Sequence, residues 1–340
     1  MKQQQMVTVS IVAACYNEAD NLPEFVRRVE AAMGEVPEAW ELILVDDGSV
    51  DHSWEVMEQL RADHPHVIGL RLSRNFSHQN ALIAGLAHAR GRAVVSLDSD
   101  LQHPPELIPD MIKAWREGWR VVTTCRQEGR ETSAFKRLTS RYFYKAFSFM
   151  TDISMGSGAS DFRLLDRKAL TVLLRFAGTD RFLRGSVNWM GFPSTTLHYQ
   201  VGERSAGTSA YSLARMVSFS VTAMTSFSMK PLRIGLWIAG LVGLLAIAEL
   251  FYVLYIAMSG AGVPGWASVA GLISFLFAMH FAVMGIFGLY ISRIYSVLQS
   301  RPVFIIDEYA GVANPDYDMP PRPAAWPVHD RIEAAGADHG

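Results

Sequence analysis

The 340-residue sequence predicts an α/β domain with a mostly parallel sheet and helices on both faces, followed by two C-terminal membrane helices. Three observations predict it. Runs of β-branched and small apolar residues alternate with amphipathic helical patterns over residues 7–124. Acidic residues stand just past two of those runs, at Asp46-Asp47 and at Asp98 and Asp100. Residues 234–258 and 266–291 are apolar stretches longer than the roughly 20 residues a helix needs to cross a membrane.

Residues 7–15 have the composition of a strand buried on both faces. Asp20 and Asn21 can cap the helix that follows, and Pro23 suits its first turn. Leu22, Phe25, Val26, Val29 and Met33 recur there at helical spacing. Residues 41–45 make a second strand, after which Asp51 caps a helix carrying Trp54, Met57 and Leu60. Residues 67–72 make the third strand, 79–89 a helix and 93–97 the fourth strand. Pro104 and Pro105 open a helix with Leu107, Ile108, Met111, Ile112 and Trp115 on one face, and residues 120–124 return as a strand. Such alternation gives parallel pairing, and ligands then bind beyond the carboxyl ends of the strands.

The first apolar stretch contains one charge, Glu249; the second contains none. Gly260, Gly262, Pro264 and Gly265 turn the chain between them. Lys230 and Arg233 precede the first stretch, and Arg293 and Arg301 follow the second. Basic residues favour the cytoplasmic side, so the N-terminal domain and the tail are both expected there. Glu249 and His280 lie where charge is costly, which leaves a functional role and plain helix packing both open.

A formal charge of −2 excludes a general nucleic-acid binder. Cys15 and Cys125 form no CxxC pair and no zinc-type cluster with the histidines, so a disulfide framework is not expected. Residues 1–6 are polar and carry no apolar leader core.

Asp98 and Asp100 are two apart, so in an extended segment both point to one side, and Gln102 continues the row. Oxygen ligands of this kind suit Mg²⁺ or Mn²⁺ and leave coordination positions for phosphate. A lone pair of this spacing is usually a solvated turn; the end of a predicted strand beside a second acidic strand end reverses that reading. Gly48 in Asp46-Asp47-Gly48-Ser49 can take a positive φ at the turn. A carboxylate on that edge could accept a hydrogen bond from a base or a ribose.

An ordered set of motifs resembles the family-2 glycosyltransferases of the GT-A (Rossmann-like) fold, in the subgroup of dolichyl- and polyprenyl-phosphate sugar synthases. The set comprises residues 14–18 (ACYNE), 45–49 (VDDGS), 72–76 (LSRNF), 97–106 (LDSDLQHPPE), 160–164 (SDFRL) and 181–185 (RFLRG). Glu203-Arg204 with Gly207, Ser209 and Tyr211, then Arg293-Ile294-Tyr295 and Arg301-Pro302, complete it. It covers roughly residues 6–306. Ser99 departs from the alanine common at that position, and residues 285–290 are more apolar than the corresponding stretch of relatives.

The resemblance implies roles. Tyr16, Glu18, Asp46 and Asp47 would bind the donor nucleoside. Asp98 would meet the ribose or metal, and Asp98, Asp100 and Gln102 would hold Mg²⁺ or Mn²⁺ on the diphosphate. Arg126 and Arg204 would meet phosphates, and Asp161 would lie near the sugar and the attacking group. Lys136, Arg137, Arg163 and Arg184 are the expected acceptor contacts. The acceptor would be a polyprenyl phosphate such as undecaprenyl phosphate, and the transfer would invert the anomeric centre. The donor reads as UDP-glucose or UDP-N-acetylglucosamine, because residues 160–164 resemble glucosyl more than mannosyl types. The resemblance also allows a homo-tetramer in the inner (plasma) membrane, serving the cell envelope.

Two segments suit the acceptor side. Residues 132–150 place Arg137, Arg141 and Lys145 along one helix side among aromatic residues, and residues 211–227 form an amphipathic helix leading into the first span. The expected organisation is a cytoplasmic catalytic domain over 1–208, an interfacial helix over 209–230 and a two-helix membrane domain over 231–295. The tail over 296–340 is expected to be largely disordered after Asp307, given its prolines. Three alternatives stand beside this reading. A GDP-mannose-dependent enzyme uses similar motifs. A processive polysaccharide synthase would carry a Gln-x-x-Arg-Trp motif, where this chain has Arg181-Phe182-Leu183-Arg184-Gly185. A non-catalytic scaffold or flippase component would not need Asp46, Asp98 and Asp100.

Overall fold

A computed structural model of the chain describes residues 7–127, 159–176, 183–200, 230–259, 265–299 and 301–311. Five strands and four helices alternate first: β1 Val9–Cys15, α1 Leu22–Met33, β2 Trp40–Asp46, α2 Ser53–Asp63, β3 Val67–Leu72, α3 His78–His88, β4 Ala93–Asp98, α4 Ile108–Arg116 and β5 Val121–Gln127. Then come β6 Ala159–Asp166, α5 Arg167–Phe176, α6 Leu183–Trp189 and β7 Ser194–Gln200. Two long helices follow, α7 Lys230–Ser259 and α8 Trp266–Leu298, and the last described element is β8 Ile306–Ala310.

The strands form one sheet in the order β7-β5-β6-β4-β1-β2-β3-β8. β3, β2, β1 and β4 are mutually parallel, as the alternation requires. β6 is antiparallel to both β4 and β5, and β8 is antiparallel to β3. The sheet is thus mixed, with a parallel centre. The chain order reverses at β1, which lies between β2 and β4. That position opens the crevice where open α/β sheets bind ligands.

Successive β1 and β2 side chains enter opposite layers. Val12, Ala14, Ile43 and Val45 pack with α3, α5 and α6, while Ile11, Ala13, Leu42 and Leu44 pack with α1, α2 and α4. Every β1 residue is buried. α3 lies close to the sheet because of Gly85; a methyl group there would overlap Val12 and Val45.

Two sequence expectations shift here. Asn21 stands at the N-cap of α1 but makes no side-chain cap; its amide instead donates to Glu18 at 2.5 Å. The first residues after Asp307, expected as part of a largely disordered tail, complete β8, with Arg71 bonding Glu308 at 2.8 Å; residues 312–340 lie outside the described residues. Pairing with β3 satisfies backbone groups whose local sequence is polar, and Phe304, 3% exposed, anchors the approach. Residues 132–150 and 211–227, expected as helices, lie outside the described residues.

The described residues form two compact units, one holding the sheet and its helices, the other α7 and α8. In the second unit, Leu232–Tyr252 and Gly271–Leu298 are long and apolar enough to cross a membrane. Leu236, Trp237 and Met258 are each at least 75% exposed. Gly235 brings α7 against α8, close to Val283 and Ile286.

Candidate active site

The carboxyl ends of β1, β2 and β4 meet side by side. Cys15 pairs in register with Asp46, and Ala14 with Asp98, so β1 carries an acidic residue on each flank. Asp46 is fully buried. Its Oδ1 accepts the Ser49 amide at 2.9 Å, while its Oδ2 is buried without a hydrogen bond, 3.7 Å from Arg71 Nε. Burial pushes the Asp46 carboxyl above its ordinary range, against the opposing bonds from Ser49. Burial also raises Asp47, whose Oδ1 accepts the Phe76 amide at 2.7 Å and so ties the β3–α3 loop to the strand end.

Gly48 has φ +67°, as its turn position predicts. A Cβ there would lie 2.5 Å from the backbone carbon of Arg74. The loops after β1 and β2 are laced together: Asn17 N donates to Ser49 Oγ at 2.9 Å, and Glu18 N to Ser53 Oγ at 2.9 Å. The expected cap by Asp51 does not form: His52 stands at the N-cap of α2 without a side-chain cap, and Asp51, one residue earlier, accepts the Ser53 amide at 3.1 Å. Tyr16 stands 44% exposed beside this edge, and Glu18 is half-buried.

Asp98 sits between two imidazoles. His78 Nε2 is 3.0 Å from Oδ1, and His103 Nδ1 is 3.3 Å from Oδ2. Burial raises the Asp98 carboxyl, but the bond from His78 and the charges of both histidines outweigh it and hold Asp98 below its ordinary value. The buried Ser99 hydroxyl donates to the Ala14 carbonyl at 3.1 Å, which gives a physical reason for serine at that departure. Asp100 accepts the Gln102 amide at 3.1 Å, and Leu101 takes φ +60° in this turn. Donor atoms of Asp98, Asp100 and His103 all lie within 4.8 Å of one another. Gln102 itself is exposed.

β6 supplies the fourth wall. Ser96 pairs with Arg163, and the Ser96 hydroxyl donates to the Asp161 carbonyl at 2.7 Å. The Asp161 carboxylate, 3% exposed, accepts Gln79 Nε2 at 2.9 Å and is ion-paired with Arg163. Ser160 Oγ lies 2.7 Å from His103 Nε2. The Asp98 amide also approaches His103 Nδ1 at 3.2 Å. His103 thus links the β4 end to β6 through both ring nitrogens.

The structure therefore brings together Asp46, Asp47, Asp98, Asp100 and Asp161. Arg163 is buried against Asp161 and borders a cleft of about 570 Å³ lined also by Ser160, Thr123, Cys125 and His198. Arg126 and Arg184 fall on β5 and α6 as backbone positions. Lys136, Arg137 and Arg204 lie outside the described residues. Three participants carry no role from sequence: His78, Gln79 and His103. His103 stands inside the 97–106 motif, and His78 and Gln79 follow the 72–76 motif directly. For His103 the available signal was an imidazole five residues after the strand-end carboxylate Asp98.

The family model for glycosyl transferase family 2 matches residues 10–174. The uncharacterized glycosyltransferase YkcC of Bacillus subtilis is 37% identical over 310 residues, 91% of this chain and 96% of that protein. The SfII prophage-derived bactoprenol glucosyl transferase of Shigella flexneri is 31% identical, covering 88% of this chain and 97% of that one. An undecaprenyl-phosphate 4-deoxy-4-formamido-L-arabinose transferase of Salmonella paratyphi A is 32% identical, covering 88% and 93%. Among solved structures, the mannosyltransferase PcManGT of Pyrobaculum calidifontis, in complex with GDP-Man and Mn²⁺, aligns at TM-score 0.45 and 16% identity over 88% of this chain and 92% of that one. With relatives of this identity matched over nearly their whole length, the chain belongs to glycosyl transferase family 2 and is a glycosyltransferase.

Proposed function

We propose that this enzyme transfers a hexose from UDP-glucose or UDP-N-acetylglucosamine to a polyprenyl phosphate, with inversion, at the cytoplasmic face of the membrane that α7 and α8 cross. The observation that carries it is the convergence of Asp46, Asp98, Asp100 and Asp161 at the carboxyl ends of β2, β4 and the adjoining β6 edge. Two relatives support the acceptor class, one a bactoprenol glucosyl transferase and the other an undecaprenyl-phosphate 4-deoxy-4-formamido-L-arabinose transferase. The exposed apolar faces of α7 and α8 suit lipid contact.

The unbonded Oδ2 of Asp46 fits a nucleoside, because a base N–H or a ribose hydroxyl would satisfy it. Tyr16 offers an exposed ring at the same edge. Asp98, Asp100 and His103 fit a divalent cation, and Gln102 lies next in the chain. When bound, Mg²⁺ or Mn²⁺ supplies positive charge for the departing diphosphate. In the transfer, a phosphate oxygen of the lipid forms a bond to the anomeric carbon as the bond from that carbon to the UDP oxygen breaks. UDP leaves with the bonding electrons. The attacking phosphate is already ionised at neutral pH and needs placement more than deprotonation. Asp161 suits that demand, since its charge is engaged by Arg163 and its position is fixed by Gln79.

Membranes containing the enzyme, incubated with undecaprenyl phosphate and a panel of labelled nucleotide sugars, should form a chloroform-soluble sugar lipid from a UDP-hexose. The Asp100→Ala variant should form about 100-fold less or lower still. Unchanged product from that variant, or product from GDP-mannose alone, would refute the reading.

A further inference from the structure

A second set of converging donors lies at the opposite, amino-terminal edge of the sheet. Glu30 is in the last turns of α1, His64 ends α2, and His66 immediately precedes β3. Nδ1 of His64 is 2.6 Å from Glu30 Oε1, and Nε2 of His66 is 3.0 Å from the same oxygen. Donor atoms of the three residues all lie within 4.8 Å of one another.

The backbone fixes both rings. His64 precedes Pro65, which favours the extended conformation it adopts at φ −122°, ψ 94°. The His64 amide donates to the Leu60 carbonyl at 2.8 Å, and the His66 carbonyl accepts the Leu42 amide at 2.9 Å. The His66 ring packs on Trp40 with centroids 4.0 Å apart. Nε2 of His66 is shielded from solvent and faces the Glu30 oxygen that His64 also approaches. One carboxylate oxygen thus faces two imidazole nitrogens at once, an arrangement of three converging donors that a cation would satisfy together. The three side chains are 26–31% exposed, so a small ion can reach them from solvent. Arg61 acts on His66 as a like charge, and the Glu30 carboxylate acts on it in the opposite sense.

We infer that Glu30, His64 and His66 form a site for a divalent cation of the zinc class, with a fourth position left to water. Two imidazoles and one carboxylate are a borderline donor set that zinc accepts in tetrahedral geometry, whereas Mg²⁺ prefers oxygen alone. The ion would clamp the end of α1 to the α2–β3 loop, far along the strands from the sugar-transfer site. The inference is independent of which sugar is transferred.

Zinc could also enter the Asp98-Asp100-His103 cluster, so the test uses an Asp100→Ala background. Full-length protein in detergent is stripped with chelator and equilibrated with micromolar zinc in excess Mg²⁺. Bound zinc is then counted by mass spectrometry. The Asp100→Ala protein should retain one zinc per chain, and adding His64→Ala or Glu30→Gln should weaken that binding at least tenfold. Glu30→Gln keeps the side-chain shape and carries the same readout if His64→Ala does not fold. Equal zinc content with and without these changes would overturn the site. So would no uptake by the Asp100→Ala protein, which would leave an imidazole–carboxylate cluster held without metal.

Discussion

His103 touches the strand end, the acidic cluster and β6 at once, through Asp98 and Ser160. Its removal frees Asp98 from one of two imidazoles. His103→Ala should lower the transfer rate roughly 10- to 100-fold and raise the metal concentration needed for half activity. A steady-state metal titration reads both. Asp161 and Arg163 are a buried ion pair. Asp161→Asn removes the buried carboxylate charge that faces Arg163 and should destabilise the catalytic unit by about 3–5 kcal/mol. Removing the charge of Arg163 as well, in Asp161→Asn/Arg163→Leu, should return part of that loss in thermal unfolding. Gly48 is constrained twice, by its positive φ and by the Arg74 backbone. Gly48→Ala should cost roughly 2 kcal/mol or more, because strain and overlap act together.

At the scale of elements, the parallel centre was legible because each strand there is an apolar run followed by an amphipathic helix. β1 through β5 stand within a few residues of the positions read from residue pattern. The acidic strand ends were legible for the same reason, since the crevice position follows from the alternation. β6 was visible only as a motif around Asp161, because no helical crossover announces an antiparallel strand. β8 was hidden by composition: Asp307, Glu308 and the prolines beyond them read locally as a solvated tail. Its partner lies more than 200 residues away, at Arg71. The imidazoles around Asp98 were equally dependent on distant packing, since His78 reaches it from α3. β8 also yields a prediction. Phe304 is buried against His88, and Phe304→Ala should destabilise the sheet unit by about 3–5 kcal/mol. Had the segment been a free tail, the unfolding midpoint would not move.

For the molecule as a whole, acid response combines two signs. Asp98 titrates below its ordinary value in the fold, so its stabilising contribution is complete above the unfolded value of about 3.9 and is lost as pH falls through the lower folded value. Asp46 and Asp47 titrate above their ordinary values. Their ionisation therefore disfavours the fold at neutral pH, and that cost fades as pH falls through the raised values towards about 3.9. Asp46→Asn should accordingly raise stability at pH 7 while reducing sugar transfer, and its advantage over the parent should shrink by pH 4. Denaturation followed across that range checks the sign.

The pairing of β8 with β3 also bears on how the protein is made. A ribosome releases β3 early, yet its edge partner emerges only after both long apolar helices have been synthesised. At roughly 5–20 residues per second, the β3 edge waits for on the order of 10–50 s. During that interval an unpaired strand edge is available to other nascent chains. Synthesis of the two apolar helices and completion of the sheet are thus ordered in time, and a chain arrested between them has not yet acquired the β8 edge of its sheet.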